Sequence, residues 1–289
     1  MTDGLPPDAE QLTWRVNGLT LAGMAWGKPG GSPVMALHGW LDNAASFALV
    51  APLLDHCRVV ALDLTGHGKS DWRSADASYQ IWDDLPEIAG VADCLGWEQF
   101  SLLGHSRGAI ISTLLASAMP ERISKLVLLD ALVPQPLPEE QFSQQLRAFL
   151  LDKPRLSQTR HRVYASADEA LSSRQRGAGS LPQEGARRLV ERNLTPCEGG
   201  YRWSTDPRLR GASAVKLSEG HVQCVLQALC MPSMLLLAEQ GHGGDPGFVQ
   251  RVSRYASAMT LETVAGGHHF HMEAKVRDVA SRIAGFIHQ

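Results

Sequence analysis

The feature that most constrains the fold of this chain is a series of short, continuous apolar runs separated by segments with helical periodicity. Such runs are typical of strands buried on both faces inside a parallel sheet that helices cover. The alternation of strand and helix therefore predicts a doubly wound, mostly parallel sheet. The predicted buried strands are 33–37, 59–62, 99–103, 123–129, 233–237 and 259–264, and the predicted helices are 44–54, 81–95, 109–119 and 272–287.

Two segments depart from this alternation. Asn17-Gly18 separates two alternating runs, 13–16 and 19–26, and both turn positions tolerate positive φ, which predicts an antiparallel hairpin at the start of the chain. Between 133 and 229 the chain is polar, with helical stretches at 139–151 and 184–192 and no convincing buried strand. We therefore expect an eight-stranded α/β core, formed by residues 1–132 and 230–289, with a helical cap (133–229) inserted after the sixth strand.

Composition narrows the class of protein. The net charge of −3 and the 20% charged residues give no reason to expect a nucleic-acid partner. The polar N-terminal segment and the lack of a long apolar stretch predict a cytoplasmic protein without a membrane span. The five cysteines are scattered and lack metal-ligand spacing, so we expect reduced thiols: Cys57, Cys94, Cys197, Cys224 and Cys230.

The charge of the chain is unevenly distributed. Residues 131–230 hold 14 lysines and arginines against 10 acidic residues, whereas the rest of the chain is acidic. Solvated helix faces account for such a surplus in most proteins. The other interpretation is a cap that attracts anionic substrates.

A candidate nucleophile lies between a predicted strand and a predicted helix, in the pentapeptide Gly104-His105-Ser106-Arg107-Gly108. A sharp strand-to-helix turn strains the backbone of the serine and brings its flanks together, so both flanking positions need glycine. The turn would present the Ser106 hydroxyl at the N-terminus of a helix, where developing negative charge is stabilised. This pattern is typical of a serine that attacks a carbonyl carbon, provided that a base is near.

The candidate base is His268, in a glycine-rich loop that follows the last predicted strand. That loop returns to the carboxyl edge of the sheet, where Ser106 is expected, and His269 and His271 are the competing candidates. Several histidines so close together also raise the question of a metal site. Because no suitable carboxylate or cysteine spacing accompanies them, we expect neither a metal nor another cofactor.

The sequence offers three candidates for the acid that would orient the histidine. Asp130 ends the strand that follows the nucleophile and is the favoured candidate, although an aspartate in this position can also start a loop or cap a helix. Glu239 and Asp245, after the next strand, are the alternatives.

The expected oxyanion hole is formed by backbone. His38-Gly39-Trp40 follows a buried strand, and the glycine lets the backbone approach a ligand. The N–H groups of Trp40 and Arg107 would then hold the oxyanion. The Trp40 side chain would line the acyl pocket or belong to the core.

Taken together, these motifs resemble the α/β-hydrolase superfamily. Four match in order: His38-Gly39-Trp40, the Gly66-His67-Gly68-Lys69-Ser70 loop, Gly104 to Gly108, and the loop containing Gly267-His268. Within that superfamily the chain is similar to the serine hydrolase-like proteins. It departs from the common pattern at Gly241, where most members carry the acid, and this favours Asp130, as in branches that take the acid from the preceding strand.

The resemblance implies a serine hydrolase that cleaves a carboxylic ester or related acyl bond in a small-molecule substrate through an acyl-enzyme. The alternatives are a carbon–carbon bond hydrolase of the same fold and a ligand-binding protein with a vestigial triad. Substrate choice would reside in the cap, where four aromatic residues are candidates for the pocket or for the core: Phe142, Phe149, Tyr164 and Trp203. A monomer and a dimer are both compatible with the sequence.

Overall fold

A computed structural model describes residues 9–176 and 181–289. Residues 1–8 of the polar N-terminal segment and 177–180 of the expected cap lie outside the described residues. The central feature is an eight-stranded sheet with the spatial order β1-β2-β4-β3-β5-β6-β9-β10. Its strands are β1 (Glu10–Val16), β2 (Leu19–Trp26), β3 (Ser32–Leu37), β4 (Cys57–Leu62), β5 (Phe100–His105), β6 (Ile123–Leu129), β9 (Ser233–Gln240) and β10 (Thr260–Gly267).

The sheet is antiparallel only where β1 and β2 join it, and parallel from β4 to β10. Asn17 and Gly18 form the predicted hairpin turn, with φ of 51° and 82°. The interruption of the sheet falls after the sixth strand. The predicted fold class is therefore confirmed.

Two apolar layers cover the sheet, one on each face. Met35 and Leu37 of β3 enter one layer and Val34 and Ala36 enter the other, because successive side chains of a strand point to opposite faces. The first layer is completed by α1 (Leu85–Cys94), α2 (Arg107–Ala118) and α7 (Pro246–Tyr255), and the second by α8 (Val276–Ile287) and the buried turn at Ala44–Phe47. Burial on both faces fixes the register of the strands and therefore the positions of the loops at their carboxyl ends.

Some predicted helices differ in the structure. The helix expected over 44–54 is wrong: two short 3₁₀ turns, Ala44–Phe47 and Ala51–Leu53, take its place. Pro52 has no backbone N–H to continue an α-helix, and its ring clashes with the preceding turn. Helix α1 begins at Leu85 rather than 81, with Pro86 in its first turn, where proline is tolerated.

Between β6 and β9 the chain forms the segment expected to be a cap. Its helices are α3 (Phe142–Ser157), α4 (Ala167–Gln175), α5 (Gln183–Asn193) and α6 (Glu219–Gln227). It also holds a hairpin that the sequence did not predict, β7 (Leu194–Cys197) paired with β8 (Gly200–Trp203). These strands are too short and too exposed to produce an apolar run. In the described part of the chain no helix has the length and apolarity needed to cross a membrane.

Candidate active site

Three side chains from three loops meet at the carboxyl edge of the sheet. Ser106 follows β5, Asp130 follows β6 and His268 follows β10. The Ser106 Oγ lies 2.9 Å from His268 Nε2, and His268 Nδ1 lies 2.6 Å from Asp130 Oδ2. The structure therefore brings the three predicted residues into one chain of hydrogen bonds, in which Nδ1–H donates to the carboxylate and Nε2 accepts from the hydroxyl.

Ser106 has the strained backbone that the glycines around it predict, with φ of 52° and ψ of −118°. A Cβ on Gly104 would lie 2.5 Å from the Ala109 Cα, and one on Gly108 would lie 1.9 Å from the Leu37 carbonyl oxygen. No side chain fits at either contact. The strain therefore persists because the surrounding packing fixes it, and it holds the hydroxyl outside the sheet at the start of α2.

Asp130 is fully buried and also has a positive φ, of 51°. Its Oδ1 accepts hydrogen bonds from the backbone N–H groups of Ala238 (3.0 Å) and His242 (3.1 Å). These donors orient the carboxylate and stabilise its charge, so that Oδ2 faces His268.

The two alternative acids lie elsewhere. Glu239 is exposed, and the Asp245 side chain accepts a hydrogen bond from the Gly247 N–H (2.9 Å) at the start of α7. Gly241, the position at which the resemblance to the superfamily would place the acid, faces Asp130: a Cβ at this position would lie 2.2 Å from the Asp130 Oδ2. The glycine therefore provides the space that the Asp130 carboxylate occupies.

The loop expected to form the oxyanion hole lies against the nucleophile. A Cβ on Gly39 would be 3.3 Å from the Ser106 Cβ, and Arg107 is the first residue of α2. Gly39 and Arg107 therefore flank Ser106, and the Trp40 N–H as an oxyanion donor stays a prediction. The Trp40 side chain is 42% exposed and donates its indole N–H to the Leu209 carbonyl (2.9 Å), so it faces the cap rather than the core.

Two buried histidines shape this loop. His38 Nδ1 donates to the Gly39 carbonyl (2.8 Å), and its Nε2 accepts from the Leu64 N–H (3.0 Å). His67 Nε2 accepts from the Leu41 N–H (3.3 Å). Burial lowers the pKa of both imidazoles, so they remain neutral and can accept these bonds.

The competing histidines of the C-terminal loop have other partners. His269 Nε2 lies 3.3 Å from the Asp42 Oδ2, and His271 Nε2 lies 2.9 Å from the Ser46 Oγ. His105 Nε2 donates to the backbone carbonyl of His268 (2.8 Å), which fixes the loop that carries the candidate base. The sequence did not predict this contact, because only the fold brings positions 105 and 268 together.

The only group of potential metal ligands within residues 9–176 and 181–289 is Asp42, His105 and His269, whose ligand atoms lie within 4.8 Å of one another. Of these residues only His269 belongs to the histidine loop whose sequence raised the question of a metal, whereas Asp42 and His105 come from other parts of the chain. In the structure the Asp42 carboxylate pairs with Arg174 as well as His269. The positive charge of Arg174 opposes a divalent cation at this carboxylate. The absence of a metal cofactor stays a prediction.

Acid should destabilise the folded protein. Burial lowers the pKa of His271 from 6.5 to about 3, and burial likewise depresses the pKa of His38, His67 and His105. Between these values and 6.5 the unfolded chain binds more protons, so stability falls as the pH falls. For His271, a folded-state pKa of about 3 against 6.5 unfolded corresponds to a loss of about 2 kcal/mol between pH 7 and pH 5.

Urea unfolding at several pH values measures this effect. We expect His271→Gln to make the free energy of unfolding less dependent on pH, and the exposed His288→Gln to leave the dependence unchanged. Equal pH dependence of the His271→Gln variant and the wild type would contradict the prediction.

Buried ion pairs join the cap segment to the sheet. Arg192 of α5 donates from Nε to both oxygens of Asp63 (2.9 and 3.0 Å), a residue that follows β4. Asp63 also accepts from the backbone N–H groups of Ala44 (2.7 Å) and Lys69 (2.8 Å). Arg174 of α4 pairs with Asp42 as described. These two pairs therefore fix α4 and α5 to the loops that follow β3 and β4.

The four aromatic residues proposed for the pocket have different surroundings. Tyr164 and Trp203 line a cavity between the segment 133–229 and the loop that follows β3, and the Trp203 indole donates to the Tyr164 hydroxyl (3.0 Å). Phe142 is 45% exposed, and Phe149 lines a separate, much smaller cavity. Sequence periodicity could not distinguish these environments.

Comparisons with known proteins identify the family of the chain. The profile of the alpha/beta hydrolase fold family matches residues 32–275. Serine hydrolase-like protein 2 of Homo sapiens is 30% identical over 92% of this chain and 90% of its own length, and a serine hydrolase-like protein of Dictyostelium discoideum is 28% identical over 89% and 75%.

Solved structures are similar along nearly the whole chain. A hypothetical protein of Pseudomonas aeruginosa PAO1 is 39% identical, with a TM-score of 0.92 over 98% of this chain and all of its own. A thioesterase domain from the curacin biosynthetic pathway is 28% identical, with a TM-score of 0.83 over 97% and 99%. With the fold and the matching motifs, these similarities establish that the chain belongs to the α/β-hydrolase superfamily, in its serine hydrolase-like branch.

Proposed function

We propose that this protein is a serine hydrolase that cleaves a carboxylic ester or related acyl bond through Ser106, His268 and Asp130. The observation that carries the proposal is the unbroken hydrogen-bond chain from the Ser106 hydroxyl through His268 to the Asp130 carboxylate. This order of donors and acceptors is the one that a serine nucleophile needs, because neutral Nε2 is free to take the hydroxyl proton.

In the first half of the reaction, the Ser106 Oγ attacks the carbonyl carbon while His268 Nε2 accepts its proton. The negative charge on the carbonyl oxygen is then stabilised by the backbone N–H groups of Trp40 and Arg107. Asp130 stabilises the imidazolium that forms. As the intermediate collapses, His268 returns the proton to the leaving alcohol or thiol, and an acyl-serine remains.

In the second half, a water molecule gives a proton to His268 Nε2 and attacks the acyl carbon. The oxyanion occupies the same backbone N–H groups. Collapse releases the carboxylic acid, and the proton returns from His268 to the Ser106 Oγ. The chain's own residues supply every proton transfer in this scheme, and we propose that the cap segment, 133–229, covers the site and selects the acyl group.

The serine itself supports the choice of acyl bonds, and the similarity to a thioesterase domain supports including thioesters in the proposal. A hydrogen-bonded serine hydroxyl on such a strand-to-helix turn attacks a carbonyl carbon and leaves an acyl-enzyme that water hydrolyses. We therefore expect activity on short esters and thioesters.

Covalent labelling tests this function. A fluorophosphonate probe should label the folded wild-type protein at Ser106 and abolish hydrolysis of 4-nitrophenyl butyrate, because the probe captures an activated serine. Heat-denatured protein is the control for labelling that does not need the folded site. Folded protein that is neither labelled nor able to hydrolyse the ester would instead favour a ligand-binding role with a vestigial triad.

A further inference from the structure

A cavity of about 430 Å³ lies between the cap segment and the loop that follows β3. Trp40 and Leu41 form its wall on the side of the core. These residues directly follow Gly39, the residue whose α-carbon faces the Ser106 Cβ. The cavity is therefore adjacent to the backbone that flanks the nucleophile, and we call it the cap cavity.

Positive charge dominates the lining of the cap cavity. Four arginines line it, whereas Asp206 is its one carboxylate among the described residues. Asp206 is already engaged, because it is paired with Arg208 (2.7 Å) and accepts a hydrogen bond from the Tyr79 hydroxyl (2.8 Å). Its negative charge is therefore balanced by Arg208, which is not one of the four arginines. The arginines are Arg160, Arg162, Arg174 and Arg210.

Two of the four arginines have carboxylate partners of their own. Arg162 pairs with Glu169 (2.9 Å), and Arg174 pairs with Asp42. Arg160 and Arg210 form no ion pair with any residue of the described chain. The Arg210 guanidinium lies 5.8 Å from the centre of the Trp40 ring, so one of these two cations is next to the residue expected to form the oxyanion hole.

Resting on the proposed function, we infer that the cap cavity binds an anionic group of the acyl substrate, a phosphate or a carboxylate that is remote from the bond cleaved by Ser106. Guanidinium groups bind both anions through charge-assisted, often bidentate hydrogen bonds. Arg160 and Arg210 supply the two uncompensated charges, and Tyr164 and Trp203 supply aromatic surface for the remainder of the ligand. The cap segment as a whole also contains more lysines and arginines than acidic residues, which likewise favours an anionic ligand.

Matched substrates test the inference and separate the two anions. Butyryl-coenzyme A is compared with the neutral thioester S-butyryl-N-acetylcysteamine, and the 4-nitrophenyl monoester of adipate with 4-nitrophenyl hexanoate. We expect kcat/KM to be at least about tenfold higher for the anionic member of one pair, the size of a single charge-assisted contact. A preference within the coenzyme A pair would identify a phosphate site, and a preference within the adipate pair would identify a carboxylate site.

Variants connect the preference to the cavity. Arg160→Ala and Arg210→Ala should each reduce it, and the double variant should remove it, while hydrolysis of the neutral member changes little. Arg147→Ala is the matched control, because Arg147 is an exposed arginine of α3 that does not line the cavity. Equal kcat/KM within both pairs, in enzyme that hydrolyses them, would overturn the inference and leave the proposed function intact.

Binding provides a readout that does not depend on catalysis. Calorimetry with Ser106→Ala protein should detect coenzyme A or adipate, with weaker binding after Arg160→Ala and Arg210→Ala are added. The neutral N-acetylcysteamine should bind less tightly than coenzyme A. Anion binding without turnover of any ester would contradict the proposed hydrolase and support the anion site, whereas failure of both anions to bind would overturn the site.

Discussion

Ser106→Ala is expected to lower kcat for ester hydrolysis about a million-fold, because removing the nucleophile of a serine triad also makes its histidine and acid useless. The substitution removes only the hydroxyl and keeps the Cβ that packs beside Gly39. Alanine is strained to the same extent as serine at a φ of 52°, so the strand-to-helix turn should keep its conformation. We therefore expect loss of activity without loss of structure.

Steady-state kinetics with 4-nitrophenyl butyrate and thermal unfolding by circular dichroism measure the two parts of this prediction. Ser101→Ala is the matched control, since Ser101 lies on β5, the strand that precedes Ser106, and its Oγ pairs with the Ser124 Oγ (3.0 Å), away from the site. It should retain activity. If Ser106→Ala protein kept more than a few per cent of wild-type kcat, the serine would not be the nucleophile.

Asp130→Asn is expected to lower kcat by about 10⁴-fold, as the equivalent change does in other serine triads. The structure supplies the physical reason. The N–H groups of Ala238 and His242 point at Oδ1 and require an acceptor there, which turns the asparagine NH₂ toward His268. A donor facing Nδ1 moves the imidazole proton to Nε2, and Nε2 can then no longer accept the Ser106 proton.

The alternative acids provide the controls for this experiment. Glu239→Gln and Asp245→Asn should keep kcat near the wild-type value, because neither side chain lies at His268. Asp245→Asn also preserves a side-chain oxygen for the hydrogen bond from Gly247. A large loss of kcat in either control, together with an active Asp130→Asn enzyme, would assign the acid to the loop after β9 instead.

The strands could be predicted because burial on both faces leaves a strong local signal. The buried residues of β3, β4 and β6 are all apolar. The strand-to-helix turn at Ser106 could be predicted as well, because its backbone requires the glycines that flank it. The helix expected over 44–54 shows the limit of this signal: its residues are apolar at helical spacing, but Pro52 prevents the hydrogen bonds that an α-helix needs.

Other features depend on contacts between distant parts of the chain. The pairing of Asp42 with His269 and Arg174 joins three loops or helices and leaves no trace in periodicity. The position of Asp130 at the end of a strand could be predicted, but its positive φ and its two backbone donors could not, because they depend on the course of the loop after β9. The hairpin of β7 and β8 likewise depends on the pairing of its two strands and not on an apolar pattern in either strand.

The contact between Gly241 and Asp130 has a consequence for how this site could have changed over time. An acid at 241 needs the space of the Asp130 carboxylate, since even a Cβ there would lie 2.2 Å from Oδ2. A lineage that exchanges one acid for the other by single substitutions must pass either through a crowded site with two carboxylates or through a site with none. The two positions are therefore epistatic, because the effect of an acid at one depends on whether the other already carries a carboxylate.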